Sequence, residues 1–445
     1  MKKKLRGMCI FVLLITTCII PALGESIPQS IDTTKKTSSI SSDNVAFDQR
    51  ISLFMKIAGL PSLSACIIKD NQIIWSKEYG CYDRSNHKPA TPDTVYIIAS
   101  ITKTIVGTAV MQLYEQGLFG LDDDVNTFLP FSLRNPNFPD DPITFRMLLS
   151  HTSSLNTNEQ LEYYWFNFSG DLPFAFFPDP YLRELLVPGG RYYNSSFWST
   201  EYQPGEYRMY ANVGFDILSY LVQIISGEPF LVYCDTHIFS PLDMKHASFN
   251  FSHFDINKVA VPYQRYKGKY YTINEVKNIY GWELPGLYYR PRFYPAGGLY
   301  TTVTDLSHFL IAHMNDGVYN GTRILKKETV ELMHAVQPGN PIGSFWYGLA
   351  WLHKSVWGLS TSGHGGDLPG VETWMLYNQT EDTGVIVLAN GNSGLGILPY
   401  QGACIDDLIL YSLFTKGGAF REETKHEFIV SSDLFFKTSL TVLNR

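Results

Sequence analysis

The 445-residue chain predicts a mixed α/β (α+β) domain. Its plan is one antiparallel sheet built from both ends of the domain and flanked by helices, with a helical region inserted between. Three observations predict it. Strand-like runs occur before residue 81 and again after residue 340. Apolar runs with helical periodicity fill the interval between them. No internal repeat divides the chain. The expected boundaries are a leader over 1–24, a linker over 25–45, and a domain over 46–415. Within that domain the sheet draws on 46–81 and 340–415, and the helical region covers 82–339. Residues 416–445 form a tail that sequence alone does not place.

The leader comes first. Lys2, Lys3, Lys4 and Arg6 precede an uncharged stretch from Met8 to Ile20, and "ALG" offers a small residue before Glu25. This is the pattern of a cleaved secretory signal, so a secreted protein is expected. An uncleaved anchor is the alternative, but the run is short for a membrane span. No second stretch is apolar enough to span a bilayer. Cleavage leaves 31 basic and 42 acidic residues, a net charge of −11. That balance, with no basic cluster beyond Lys35-Lys36, excludes a typical nucleic-acid binder. Four cysteines remain, Cys66, Cys81, Cys234 and Cys404. Their spacing fits no zinc pattern, and one bridge or buried thiols are both compatible with it. Sequons at Asn167, Asn194, Asn250, Asn320 and Asn378 would make a glycoprotein in a host that glycosylates.

Glu25 to Asn44 is rich in Ser and Thr and carries no apolar periodicity. "LSACIIK" and "QIIWSKEYG" then read as two strands joined at Asp70-Asn71, a hairpin signal. "IIASITKTIVGTAVMQLYEQG" opens on Ser100, continues as a helix and stops at Gly117. "LDDDVNTFLP" reads as a capped turn and "ITFRMLLSH" as a short helix. Residues 156–204 are dense in aromatics, Pro, Gly and Asn. They read as a packed irregular insertion, with a substrate-facing lid as the alternative. "VGFDILSYLVQIISG" and "TVTDLSHFLIAHMNDG" have helical periodicity. "SFWYGLAWLHK", "STSGHGG", "VETWMLYN" and "GVIVLANG" read as strands, and "ACIDDLILYSLF" as a closing helix.

The chemistry begins with a lysine in a helix whose surface is otherwise apolar. Ser100 and Lys103 are three apart, so they share a helix face and the amine can reach the hydroxyl. Burial disfavours the ammonium form, and such an amine can help to activate a serine. Ser85-x-x-Lys88 repeats the spacing, but Pro89 follows and no helix does. A serine nucleophile also needs a proton acceptor and oxyanion donors. Tyr210-Ala-Asn212 stands just ahead of a helix and offers a phenol and an amide; Tyr192-Tyr-Asn194 repeats the pattern in a loop. "TSGHGGDLPG" is a run of small residues around His364, and it would let a substrate backbone lie along a strand edge. There is no Gly-x-Ser-x-Gly elbow, no His-x-x-x-His zinc pair, no P-loop and no dinucleotide fingerprint. No cofactor and no metal are expected.

The order Ser-x-x-Lys, Tyr-x-Asn, His-Gly-Gly resembles the serine β-lactamase and penicillin-binding protein superfamily. It is most similar to the class C-like branch, with its D-alanyl-D-alanine carboxypeptidases, D-aminopeptidases and esterases. "LLSHTSSL", "PGEYRMYANVGFDILSYLVQIISG", "IFSPLDMKHASF", "PAGGLYTTVTDLSHFL" and "GHGGDLPGVETWMLY" extend the likeness over about residues 46 to 415. The resemblance implies a five-stranded antiparallel sheet with flanking helices. It also implies an acyl-enzyme at Ser100, with Lys103 as its proton partner and Tyr210 as base and then acid. Asn212 would orient lysine and substrate. The N–H groups of Ser100 and of Asp367, after His364-Gly365-Gly366, would form the oxyanion hole. The implied function is hydrolysis of an ester or amide in a small molecule or peptide, such as a D-amino acid peptide. A D-alanyl-D-alanine carboxypeptidase, a β-lactamase proper and a catalytically silent binding relative are the alternatives. Two departures stand out. His364 occupies the place of the lysine that serves a β-lactam carboxylate, and Ser154 replaces a glycine at a turn where positive φ is expected.

Overall fold

The computed structural model describes residues 35–157, 181–275, 287–289, 294–392 and 399–420, without side chains over 35–43 and 399–406. The leader, the sequon at Asn167, most of the aromatic insertion and the tail beyond residue 420 lie outside these residues. By its internal contacts the chain divides at Asp48–Gln49. The first unit is described only over its last residues, where a helix, Lys35–Ala58, begins. The stretch expected as a linker up to residue 45 is therefore helical from Lys35, and residues 46–58 add helix rather than strand to the domain.

The second unit is organised by its sheet. Strands β1 (Ser62–Lys69), β2 (Gln72–Asp83) and β3 (Lys88–Pro89) come from one end of the chain. Strands β4 (Trp346–Tyr347), β5 (Leu352–Val356), β6 (Leu359–Leu368), β7 (Val371–Asn378) and β8 (Thr383–Ala389) come from the other. Their order is β4-β5-β6-β7-β8-β1-β2-β3, and all pairs are antiparallel. Among the described residues the sheet thus has eight strands rather than five, because short strands are added at both margins. The seam between the two ends is β1 against β8, in register from Leu63–Ala389 to Lys69–Thr383.

Local chemistry sets the turns. Asp70 and Asn71 have φ of 49° and 59°, the two left-handed residues that a tight hairpin matching strand twist requires. Trp357 and Gly358 make the equivalent turn between β5 and β6. "SFWYGLAWLHK" is broken into β4 and β5, with Gly348–Trp351 between. A Cβ on Gly348 would lie 2.1 Å from the Met333 carbonyl oxygen, so the backbones approach too closely there for any side chain.

β1 is buried on both faces. Helix Val303–Met314 covers one, where Leu310 and Met314 lie against Gly384. Helix Pro399–Lys416 covers the other, where Gly417 meets Thr383 and Ile67. Adjacent residues of one strand point to opposite faces, so the sheet is the middle of three layers. The inserted region holds helices Thr102–Glu115 and Asn212–Ser226, packed on each other. Asn212–Ser226 ends at Gly227 with φ 74°, the expected left-handed stop. This region also contains strands: Tyr263–Tyr266 pairs with Lys269–Thr272 on one side and with Gly391–Asn392 on the other, and Tyr96–Ile97 pairs with Tyr300–Thr301.

Cys66, Cys81 and Cys234 are free thiols, the first and last buried. Asn378 is also buried. Its amide donates to the Ser360 carbonyl at 2.7 Å and accepts from the Glu381 N–H at 2.6 Å, which closes that sequon in the folded chain.

A line of buried polar groups runs from the Thr102–Glu115 helix to β6. Thr108 Oγ1 donates to the Thr104 carbonyl, so it accepts from His313 Nε2 at 3.1 Å. His313 Nδ1 must then accept from His334 Nε2 at 3.3 Å, and His334 Nδ1 from Ser362 Oγ at 2.9 Å. Both rings are neutral in this arrangement. Burial lowers the pKa of His313 to about 3 and holds that of His334 well below its usual value. The unfolded chain therefore binds protons that the folded chain refuses between pH 6.5 and 3, and stability falls as pH drops through that window. At pH 5, His313 alone lowers the stability present at pH 7 by about 2 kcal/mol. Thermal unfolding from pH 7.5 to 4.5 should show a falling midpoint, and His313→Gln should flatten the slope.

Candidate active site

Ser100 lies in a single 3-10 turn, Ala99–Ile101, that runs into the Thr102–Glu115 helix. Ala99 has φ 47°, a conformation that costs an L-residue about 1–2 kcal/mol. The strain is held by surrounding backbone. Ile98 N–H donates to the Leu299 carbonyl, and the Ile98 carbonyl accepts from Thr373 Oγ1 at 2.9 Å. The turn presents Ser100 half-exposed at a cavity while its neighbours stay buried.

Lys103 follows one turn later with no exposed surface. Its Nζ donates to Ser100 Oγ at 3.0 Å and to the Ala296 carbonyl at 2.5 Å. It also lies 4.9 Å from the centre of the Tyr210 ring and 5.7 Å from that of Phe215. Burying a lone ammonium costs several kcal/mol. Two charge-assisted hydrogen bonds of about 1.5–3 kcal/mol each and two aromatic faces offset that cost.

Tyr210 comes from the segment before helix Asn212–Ser226. Its hydroxyl donates to Ser100 Oγ at 2.9 Å, so the serine oxygen is held from two sides. His151 stacks on the Tyr210 ring with centroids 4.3 Å apart, and its Nδ1 accepts the Ala211 N–H at 3.2 Å. Two residues earlier, Arg208 is buried. Its guanidinium donates to the carbonyls of Ser150, Gln337, Pro338 and Asn340, at 2.6–3.0 Å. This clamps the tyrosine segment to two loops. Asn212 lines the cavity from the first turn of its helix.

β6 forms the facing wall. It pairs with β5 only as far as Gly363, so among the described residues its outer edge has no strand partner from His364 onward. Leu368 and Val371 flank the two-residue turn, and alternate residues bond to β7. Gly365 and Asp367 therefore direct their backbone groups to the free edge. Gly366 packs on the serine turn: a Cβ there would lie 2.3 Å from the Ile98 oxygen and 3.0 Å from the Ala99 Cβ. His364 is buried, and its Nδ1 bonds the Gly365 carbonyl at 2.6 Å. Burial and the nearby Lys103 lower its pKa to about 3, so it is neutral at physiological pH. Ser100, Tyr210, Asn212 and His364–Asp367 line one cavity of about 440 Å³, with Lys103 beneath the serine.

All the sequence-predicted residues thus meet at one place, and the two decoys do not. Ser85 pairs with Tyr263 at 3.2 Å, and Lys88 reaches Asn257 at 3.1 Å. Tyr192 is exposed, and Asn194 caps a 3-10 turn. Ser154 does adopt φ 60°, with its hydroxyl accepting from Asn135 Nδ2 at 3.0 Å. Sequence reading missed His151 and Arg208, and also Tyr347 and Trp374, which line the same cavity. A lone His or Arg beside a motif carries no sign of what it will stack on. Among the described residues, no group of three His, Cys, Asp or Glu is placed to hold a metal ion.

A sheet between helical layers, with a serine turn facing its free edge, is the architecture of penicillin-recognising serine proteins. The chain belongs to the β-lactamase family, whose model matches residues 47–402. It is 27% identical over 376 residues to the putative penicillin-binding protein PbpX of Bacillus subtilis, covering 83% of this chain and 81% of that one. It is 25% identical to protein flp of Staphylococcus aureus, over 75% of this chain but 60% of that longer one. Among solved structures, the octameric penicillin-binding protein homologue from Pyrococcus abyssi superposes with a TM-score of 0.65. That match has 25% identity and covers 84% of this chain and 78% of that one. The D-amino acid amidase of Ochrobactrum anthropi shares the fold, with a TM-score of 0.63, 20% identity, and 84% and 99% covered.

Gly366→Ala should separate the two walls. With backbone on the opposing side, β6 must shift rather than a side chain, an overpacking cost of about 1–3 kcal/mol. The variant should melt lower than the parent and react more slowly at Ser100 with an active-site serine probe, both measured on the folded fraction.

Proposed function

We propose that the chain is a secreted serine hydrolase that cleaves an ester or amide bond through an acyl-enzyme on Ser100. The observation that carries this reading is Ser100 Oγ held at once by Lys103 Nζ and Tyr210 OH, opposite a free strand edge. Secretion rests on the basic and apolar pattern of the first 24 residues.

In this mechanism the reactive form carries Tyr210 as a tyrosinate, its proton lost to solvent and its charge held by the Lys103 ammonium; Ser100 Oγ, now donating to that oxygen, attacks the substrate carbonyl carbon as its proton passes to Tyr210. Lys103 stabilises the charge developing on both oxygens without leaving its bond to Ala296. The carbonyl oxygen receives the N–H groups of Ser100 and Asp367. Tyr210 then gives the proton to the leaving group as its bond to carbon breaks. A water molecule repeats the sequence: its proton goes to Tyr210, its oxygen joins the acyl carbon, and Ser100 Oγ leaves and is reprotonated. Asn212 orients the substrate amide from the opposite wall. Substrate choice sits with His364, a neutral imidazole where an ammonium would serve a carboxylate, so turnover of small activated esters should exceed that of penicillins.

A fluorophosphonate probe should label the folded protein, and peptide mapping should place the adduct on Ser100. Ser100→Ala should remove labelling while leaving the melting temperature nearly unchanged. An adduct at Ser85, or no adduct on folded protein, would refute the assignment. Tyr210→Phe removes one oxygen and keeps the ring stacked on His151. It should lower kcat by about 10²–10⁴-fold, as loss of a general acid–base does.

A further inference from the structure

A second cleft lies at the other end of the helix that follows Ser100. Gln112 and Glu115 line it from the last turns of Thr102–Glu115. By the helix rise, Gln112 is roughly 14 Å beyond Lys103 along the axis. The cleft holds about 430 Å³ and, among the described residues, shares no lining residue with the cavity at Ser100. One wall is the helical segment Phe230–Phe239, and the other follows the hairpin Val318–Tyr319 with Thr322–Arg323. The helical wall ends in a single π turn, where the Ser240 N–H bonds the Asp235 carbonyl five residues back at 2.9 Å. Such turns are rare and recur at functional sites.

Two buried polar atoms in this cleft have no hydrogen-bond partner among the described residues: Gln112 Oε1 and Tyr233 OH. Gln112 is 9% exposed and Tyr233 2%. The orientation of the Gln112 amide is fixed, because its Nε2 donates to the carbonyls of His237 and Ile324 at 3.0 and 3.1 Å, and carbonyls only accept. Oε1 is therefore an acceptor that needs a donor. Burial pushes the Tyr233 pKa up, so its hydroxyl keeps its proton and offers a donor. His237 does not serve either atom. Its Nε2 is engaged with Glu228 Oε1 at 3.0 Å, and its ring lies 4.3 Å from that of Tyr233. Unmet buried polar groups are costly, and a ligand that meets them relieves the cost.

We propose that this cleft is a second ligand site, separate from Ser100, and that it takes a neutral polyhydroxyl molecule of monosaccharide size. The lining excludes simpler chemistry. A carboxylate brings no donor for Gln112, although Arg323 and Lys326 stand at the cleft. An ammonium brings no acceptor for Tyr233. An amide supplies one of each, which serves the floor but not the mixed donors and acceptors around it, Glu115 and Thr236 with Arg323 and Lys326. A hydroxyl both donates and accepts, so a ring bearing several of them meets every one of these groups. The volume falls in the range of small-molecule sites, roughly 300–1,000 Å³. The site is independent of the hydrolase reading, since none of its residues touches the serine.

The test is ligand-observed saturation-transfer NMR on the full-length protein at pH 7, with glucose, galactose, mannose and ribose titrated separately. Acetate and N-acetylglycinamide are the controls for a carboxylate and an amide. At least one sugar should bind saturably, and both controls should fail to compete with it. Tyr233→Phe removes one oxygen that has no partner in the fold. It should leave the melting temperature of the sugar-free protein and the fluorophosphonate labelling of Ser100 unchanged, yet weaken the sugar about three- to tenfold, the scale of one neutral hydrogen bond. No binding by any of the four sugars, which would leave the floor to a bridging water only, overturns the proposal. So does displacement by either control, or equal affinity in Tyr233→Phe. Loss of labelling in the parent protein refutes the hydrolase reading and leaves this site standing.

Discussion

A lysine ammonium with no exposed surface sits at the centre of this protein, and much of the fold can be read as the means of keeping it there. Lys103 needs acceptors, so the Ala296 carbonyl is turned toward it. It needs an aromatic wall, so Tyr210 and Phe215 stand beside it. Each demand recruits a separate stretch of chain. Ala296, in the short helix Tyr294–Gly297, lies almost two hundred residues beyond the lysine, and the Tyr210 segment is fixed in turn by the His151 stack and the Arg208 clamp.

The second constraint is steric. Serine turn and strand edge touch because β6 carries no side chain at Gly366 and β5 stops pairing at Gly363. The first lets Ile98 and Ala99 approach the strand backbone, and the second leaves N–H groups unclaimed. A site of this kind is made by withholding: a missing Cβ and a missing strand. The strained φ of Ala99 is the complement, since it turns Ser100 out toward the space so created.

Much of this was legible in the sequence, for identifiable reasons. Strands β1 and β7 and the helix stops at Gly117 and Gly227 follow from local pattern and glycine chemistry, which a sequence displays directly. Ser100, Lys103 and Tyr210 were legible because their residue types are chemically demanding and their order is characteristic. What was hidden depends on long-range approach. The break between β4 and β5 comes from Gly348 meeting Met333. The His313–His334 line joins residues whose partners lie on different elements. The roles of Arg208 and His151 depend on carbonyls and rings far along the chain. The helix beginning at Lys35 was hidden by a Ser/Thr-rich composition that gives little apolar periodicity.

The β1–β8 seam carries a consequence for biosynthesis. Leu63 pairs with Ala389, so the central strand of the sheet waits for a partner made more than three hundred residues later. At about 5–20 residues per second, translation keeps β1 and β2 without that neighbour for roughly 15 to 65 seconds. The Ser100 segment is made early in that interval and β6 near its close. The nascent chain therefore carries its serine and lysine long before it has a wall to face them. Reactivity should arrive abruptly, with the last tenth of the domain, rather than grow as the chain lengthens.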